Sequence, residues 1–203
     1  AYYWDNTFTD QTVAEFKAAT DAGFRISVYT NPHFNWGHWK QVIDPKVREI
    51  VKGFAQHRLT DPISGRRMKH GGNNIAYTPY REHMLDTFRT IHAAMDVSLY
   101  LDTTHQWQLA PAPVTGLTNY EGARKLFEGT RAIKRDQFLG TENLNELAIM
   151  SGGCDYGLFF GLGWSRGWEE AKARLTHPIL GFLYRDVSLQ VSQRVSPRHG
   201  PRY

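Results

Sequence analysis

Val97-Ser-Leu-Tyr-Leu-Asp102 and Gln137-Phe-Leu-Gly-Thr-Glu142 are two short apolar runs, each closed by an acid. Between them one stretch has helical periodicity, starting at Thr118 and carrying Ala123, Leu126, Phe127 and Ile133 on one side. Apolar run, helix, apolar run is the pattern of a β-α-β crossover, which joins parallel strands. Both acids are therefore expected at neighbouring strand tips. In a (β/α)8 barrel the strand C-termini converge on one open face, where acids from neighbouring strands can share a small substrate.

The same alternation extends in both directions. Thr78 as cap and Pro79 at the first helical position predict a helix with an apolar stripe of Met84, Leu85, Phe88, Ile91 and Met95, feeding the strand that ends at Asp102. Thr118 with Glu121 three residues on reads as a capping box. Thr9 or Asp10 can cap an earlier helix carrying Val13, Phe16 and Ala19; Gly23 ends it, and a strand over Phe24 to Tyr29 follows, closed by Asn31-Pro32. Ala1 to Asp5, Tyr156 to Phe160 and Ile179 to Tyr184 bring the strand candidates to about six. The expected fold class is α/β, a (β/α)8 TIM barrel that is incomplete at six visible strands. It occupies residues 1–190, with 191–203 as a basic tail or truncated connection.

Composition narrows the classes. At 203 residues and 41% hydrophobic content the chain can bury a sizeable core, and 22% charged residues fit a folded enzyme better than a disordered segment. The excess of 24 basic over 20 acidic residues is scattered apart from an acid-free stretch after Arg194, so no nucleic-acid partner is inferred. Cys154 is the single cysteine, which excludes an internal disulfide and a multi-cysteine metal cluster and leaves the compartment open, secretion or the periplasm included. No apolar run approaches the roughly 18 residues of a membrane span. The chain has no initiator Met and opens on what already reads as a strand, so it is expected to be part of a larger chain.

Side chains that follow the strands suggest a ligand. The connection from Asn31 to Pro79 is far longer than a usual βα loop, although Pro45 to Gln56 predicts a helix within it. It carries His33, Trp36, His38 and Trp39 near its start and Gly71-Gly-Asn-Asn74 near its end, all expected as binding surface. His105, Gln106 and Trp107 follow Asp102, and Asn143, Asn145 and Glu146 follow Glu142. Two carboxyl groups flanking a glycosidic bond are what hydrolysis through an oxocarbenium-like transition state needs, and indole faces stack on sugars. Asp102 is expected as the ionised group, with Thr103, Thr104 and His105 as hydrogen-bond donors, and Glu142 as the acid. Either acid alone reads as well as a cap or an arginine partner; two on successive strands favour a shared site. Asp5, after Tyr3 and Trp4, reads as a sugar-hydroxyl ligand or a cap, and Arg185-Asp186 as a transition-state contact or an ion pair. His33 and His38, five apart, do not match common zinc spacings. Gly152-Gly153 and Gly161-Leu-Gly163 match no nucleotide-binding pattern.

Five segments carry a resemblance that covers most of the chain: Tyr29-Thr-Asn-Pro32, Tyr77-Thr-Pro-Tyr-Arg81, Leu99-Tyr-Leu-Asp102, Gly140-Thr-Glu-Asn143, and His177-Pro178 through Tyr184-Arg-Asp186. In order and spacing they resemble the catalytic barrel of glycoside hydrolases related to the alpha-amylase clan, especially large bacterial enzymes similar to endo-alpha-N-acetylgalactosaminidases. The resemblance implies a nucleophile at the end of the fourth strand and an acid/base at the end of the fifth, which fall on Asp102 and Glu142. A third acid after the seventh strand is best matched by Asp186. The clan's usual arginine two residues before the nucleophile is replaced by Tyr100, and the first and last barrel strands are not visible. The expected activity is cleavage of O-glycosidic bonds in an oligosaccharide or glycoconjugate by a retaining two-carboxylate mechanism. Asp186 would orient the sugar, and Asp5, Trp36, Trp39, His105, Trp107, Asn143 and Arg185 would contact it; no cofactor is needed. The alternatives are a non-catalytic carbohydrate-binding barrel and a metal-dependent barrel hydrolase built on His33, His38 and His105.

Overall fold

The computed structural model describes residues 9–32, 42–60, 65–66, 73–102, 104, 114–142, 146–151, 154–159, 186 and 189–192. The first helix, α1 (Asp10–Asp21), starts at Thr9, whose hydroxyl accepts from the Thr12 N–H at 3.1 Å. It closes in a Schellman turn: Gly23 at φ +89° donates to the Thr20 carbonyl at 2.9 Å, and Phe24 donates to the Ala19 carbonyl at 3.1 Å. That closure commits the Phe24 amide to the helix, so the strand expected from Phe24 begins later. It is β1 (Ser27–Thr30).

The long insertion contains α2 (Pro45–Gln56), with the bounds its sequence implies. Asp44 caps it by accepting from Lys46 and Val47, and Val51 and Phe54 are buried. Next comes α3 (Thr78–Ala94), which buries Met84, Leu85, Phe88 and Ile91 as expected. Its cap differs from expectation. Tyr77 holds the N-cap position without a side-chain bond, and Thr78 is already helical. The first turn is instead met from another loop, where the Thr115 hydroxyl accepts from the Thr78 N–H at 3.2 Å and donates to the Ala76 carbonyl at 2.7 Å.

The chain then runs through β2 (Ser98–Leu101), α4 (Asn119–Ile133), β3 (Gly140–Glu142), α5 (Glu146–Met150), β4 (Tyr156–Phe159) and β5 (Leu189–Ser192). The capping box of α4 forms in full between Thr118 and Glu121. The strands make one parallel sheet in the order β1-β2-β3-β4-β5, as the crossover pattern requires. This α/β architecture agrees with the expected class. Four of the six strand candidates are present as β1 to β4. The candidates at Ala1 to Asp5 and Ile179 to Tyr184 lie outside the described residues. The fifth strand, at 189–192, was not anticipated and straddles the boundary expected at residue 190.

One face of the sheet carries the helices. Ile26, Val28, Leu99, Leu101 and Leu139 pack with Phe88, Ile91, Leu126 and Phe127 in a single apolar core. Because side chains alternate along a strand, the other face is fixed by the same register. It presents Ser27, Tyr29 and Asn31 from the first strand, Ser98, Tyr100 and Asp102 from the second, and Gly140 and Glu142 from the third. This second face is concave. Tyr156 of β4 donates through Oη to Ser27 Oγ of β1 at 2.9 Å; in a flat sheet three strand spacings would set their backbones about 14 Å apart, beyond the reach of the two side chains. The sheet must curl toward that face.

Asn73 and Asn74 are buried, which corrects their reading as binding surface, while Gly71 and Gly72 lie outside the described residues. Asn73 Nδ2 donates to the Phe54 carbonyl at 2.7 Å, and Asn74 Oδ1 accepts from the Ala76 N–H at 2.9 Å. The Ile75 N–H is taken by Asn119 Oδ1 at 3.0 Å. These contacts clamp the end of the insertion between α2 and α4. Gly122 lets α4 approach, since a Cβ there would meet the Ala76 Cα at 2.5 Å and the Ile75 carbonyl carbon at 2.8 Å. At Gly129 the corresponding Cβ meets only Leu85 methyl groups, at 2.9 Å. Gly122→Ala is therefore expected to lower stability by about 1–3 kcal/mol or more, because backbone cannot move aside. Gly129→Ala should be far milder, since a flexible side chain yields and alanine favours the helix by about 0.5–1 kcal/mol. Urea unfolding of both variants gives the ranking, and equal or reversed losses would contradict this packing.

Candidate active site

The register brings the two acids together. Leu101 pairs with Thr141, so the next step along β2 and β3 sets Asp102 beside Glu142 at adjacent C-terminal tips, both on the concave face. Asn31 occupies the matching position after β1, because Thr30 pairs with Leu101. Glu142 is 7% exposed, and Asp102 is half-buried.

Asp102 is held from β1. Asn31 Nδ2 donates to Asp102 Oδ2 at 2.8 Å, and the Tyr29 phenol donates to the same oxygen. The Asp102 N–H also bonds the Thr30 carbonyl at 2.8 Å, which carries the β1–β2 ladder to the tip. Donors aimed at a carboxylate favour its charged form. Tyr29 remains a donor because its phenol is pushed above its ordinary value, first by burial and then by the bond to Asp102.

This differs from the donor set expected on the Asp102 side. The Thr104 hydroxyl donates to the backbone carbonyl of Glu142 and accepts from Thr141 Oγ1 at 2.6 Å. Thr104 therefore fastens the tip of β3 to the chain leaving β2 and serves the position of Glu142. Thr103 and His105 lie outside the described residues, as do Asp5, Trp36, Trp39, Trp107, Asn143 and Arg185. Asp186 is exposed in a turn three residues before β5 in the sequence. Asp102 and Glu142 stand where their strands end.

Beneath the acids lies an aromatic floor. Tyr29, Tyr100, Gly140 and Tyr156 occupy one register row across four strands. The Tyr100 ring stacks on Tyr29 with centroids 5.9 Å apart and on Tyr156 at 6.1 Å, and Phe138 backs Tyr156 at 4.8 Å. Gly140 leaves the space that the Tyr156 ring fills, since a Cβ there would lie 2.1 Å from that ring. The Tyr100 phenol is pushed up, first by burial and then by the negative charges of Asp102 and Glu142, so both carboxyl groups act on one hydroxyl. Sequence reasoning missed Tyr29, Asn31 and Tyr100. The available signal was alternation: counting back by two from each strand-end acid gives Tyr100 and Gly140.

Metal chemistry would need a donor cluster. Among the described residues no group of three or more His, Cys, Asp or Glu is placed to hold a metal ion, and His33, His38 and His105 lie outside them. Among the same residues no helix is long and apolar enough to cross a membrane.

No family model matches the chain, and no curated protein does. Among solved structures the chain is similar to Ega3 of Aspergillus fumigatus, solved in complex with galactosamine. The TM-score is 0.53 with 12% identity, over 89% of this chain and 64% of that one. The likeness is one of fold, and this chain spans just under two thirds of that protein's length.

The site and the core together have a pH signature. Tyr29, Tyr80, Tyr100 and Tyr156 are all raised above 10.0 and Cys154 above 9.0, with burial the largest cause in each. The folded chain thus keeps protons that the unfolded chain releases. Stability from these groups is complete below pH 9 and is lost as pH rises past the ordinary values. The urea midpoint should fall between about pH 9 and pH 11, and a midpoint that holds or rises there would contradict the burial of these hydroxyls.

Proposed function

We propose that this chain is part of a (β/α)8 barrel from a glycoside hydrolase, in which Asp102 and Glu142 cleave an O-glycosidic bond. The observation that carries the reading is their placement side by side on the concave face of a curled parallel sheet, at the ends of β2 and β3. Strand C-termini are where barrel enzymes build their active sites. The resemblance to the alpha-amylase clan assigns the same two residues, and the solved relative with a similar fold was captured with an amino sugar.

Each carboxyl group has a setting suited to one role. Asp102 takes hydrogen bonds on one oxygen from Tyr29 and Asn31, which orient it for attack on the anomeric carbon. Glu142 is buried, with its backbone fixed by Thr104, a setting in which a carboxyl group can hold a proton for the leaving oxygen. After the first step the ionised Glu142 takes a proton from water, and the water oxygen attacks the glycosyl carbon and releases Asp102. The residues expected to line the sugar, Trp36, Trp39, His105, Trp107, Asn143, Arg185 and Asp5, remain part of the proposal by sequence position. Asp186, which follows the strand expected at 179–184, stays in the proposal by sequence position as the acid that orients the sugar.

Glu142→Gln should lower turnover on activated and natural glycosides by about 10²- to 10⁴-fold, the usual loss when a general acid is removed. Asp102→Asn should lose at least as much. A panel of 4-nitrophenyl glycosides, followed by release of 4-nitrophenol, reads both. Loss under tenfold for either variant would sink the assignment, and sugar binding without turnover by the native chain would favour a binding barrel.

A further inference from the structure

We propose that the Tyr100 hydroxyl is a substrate-binding donor at the floor of the site, placed to bond an uncharged oxygen of the bound sugar. This rests on the glycosidase reading above and adds to it the character of the sugar the site accepts. Tyr100 is 6% exposed, and its Oη is a buried polar atom without a hydrogen-bond partner among the described residues. Leaving a buried hydroxyl unbonded is unfavourable by about 1–3 kcal/mol.

Packing gives the oxygen no use. The ring is already fixed between Tyr29 and Tyr156, and a phenylalanine would make the same stacks. The hydroxyl does have a use if an acceptor arrives on the concave face, because Tyr100 lies in the row directly under Asp102 and Glu142. Burial pushes its phenol up, so it keeps its proton and remains available as a donor.

The partner's charge follows from the neighbours. With Asp102 as the ionised nucleophile of the glycosidase reading, a carboxylate or sulfate brought to this hydroxyl would meet a like charge. A sugar hydroxyl or ring oxygen meets no such opposition and can donate in turn to a carboxylate. The floor thus selects neutral sugars over uronic acids and sulfated sugars at this position.

The test is Tyr100→Phe, read by urea unfolding and by steady-state kinetics on 4-nitrophenyl hexosides, N-acetylhexosaminides and hexuronides. The expected result is a urea midpoint equal to or above that of the native chain, together with at least a tenfold fall in kcat/KM on the neutral glycoside the native chain prefers. A lowered midpoint would show that the hydroxyl has a structural partner and would overturn the proposal. Unchanged kcat/KM, or a native preference for hexuronides, would overturn it while leaving the carboxylate pair standing. A native chain that turns over no glycoside at all overturns the glycosidase reading and this inference with it.

Discussion

The ring of Tyr156 lies across the backbone of Gly140, and its hydroxyl bonds Ser27 on the far side of two intervening strands. Much of the site's geometry depends on that one contact. A side chain at position 140 would push the ring away, and a flat sheet would put Ser27 out of reach. With the ring in place the sheet curls, its polar face turns inward, and the strand-end side chains of β1, β2 and β3 gather on the inside of the curve. Parallel pairing supplies the rest. One register step beyond Leu101 and Thr141 sets a carboxyl group on each of two adjacent strands.

The outer layer holds that geometry still. Phe88, Ile91, Leu126 and Phe127 press on Leu99, Leu101 and Leu139 from the convex side, so β2 and β3 cannot shift register without turning apolar side chains to the polar face. Arg131 at the end of α4 ties the start of β3 by donating to the Gln137 carbonyl at 2.6 Å and pairing with Asp155 at 2.8 Å. Asp155 in turn accepts from the Leu139 N–H at 2.7 Å. The insertion between β1 and β2 is anchored at its far end by Asn73, Asn74 and Asn119.

How much of this the sequence disclosed depended on the range of each interaction. Local ones were legible: the capping box of Thr118 and Glu121, the bounds of α2, the stripe along α3 and the acids at the tips of β2 and β3 all follow from neighbours within a few residues. The α3 cap was misread because Thr115, 37 residues away, satisfies the first turn that Thr78 was expected to cap. Thr104 was misassigned as a donor to Asp102 for the same reason, while Thr103 and His105 lie outside the described residues. Thr104 was the nearer candidate, but Tyr29 and Asn31, about seventy positions back, are the ones the parallel register delivers. β5 went unread because Leu189 to Ser192 is too short and too polar to stand out beside the basic stretch that follows.

At the site itself, two neutral donors from the first strand reach the Asp102 carboxylate. Tyr29 and Asn31 orient Asp102 without adding charge, and Tyr100 stands where the resembling clan has arginine. The central claim is that Asp102 attacks the sugar. The most direct measurement is trapping with an activated 2-deoxy-2-fluoroglycoside of the sugar the protein turns over, followed by peptide mass spectrometry. The account predicts one glycosyl adduct, on Asp102, absent from the Asp102→Asn variant; an adduct on another residue, or turnover with no trappable intermediate, would contradict it.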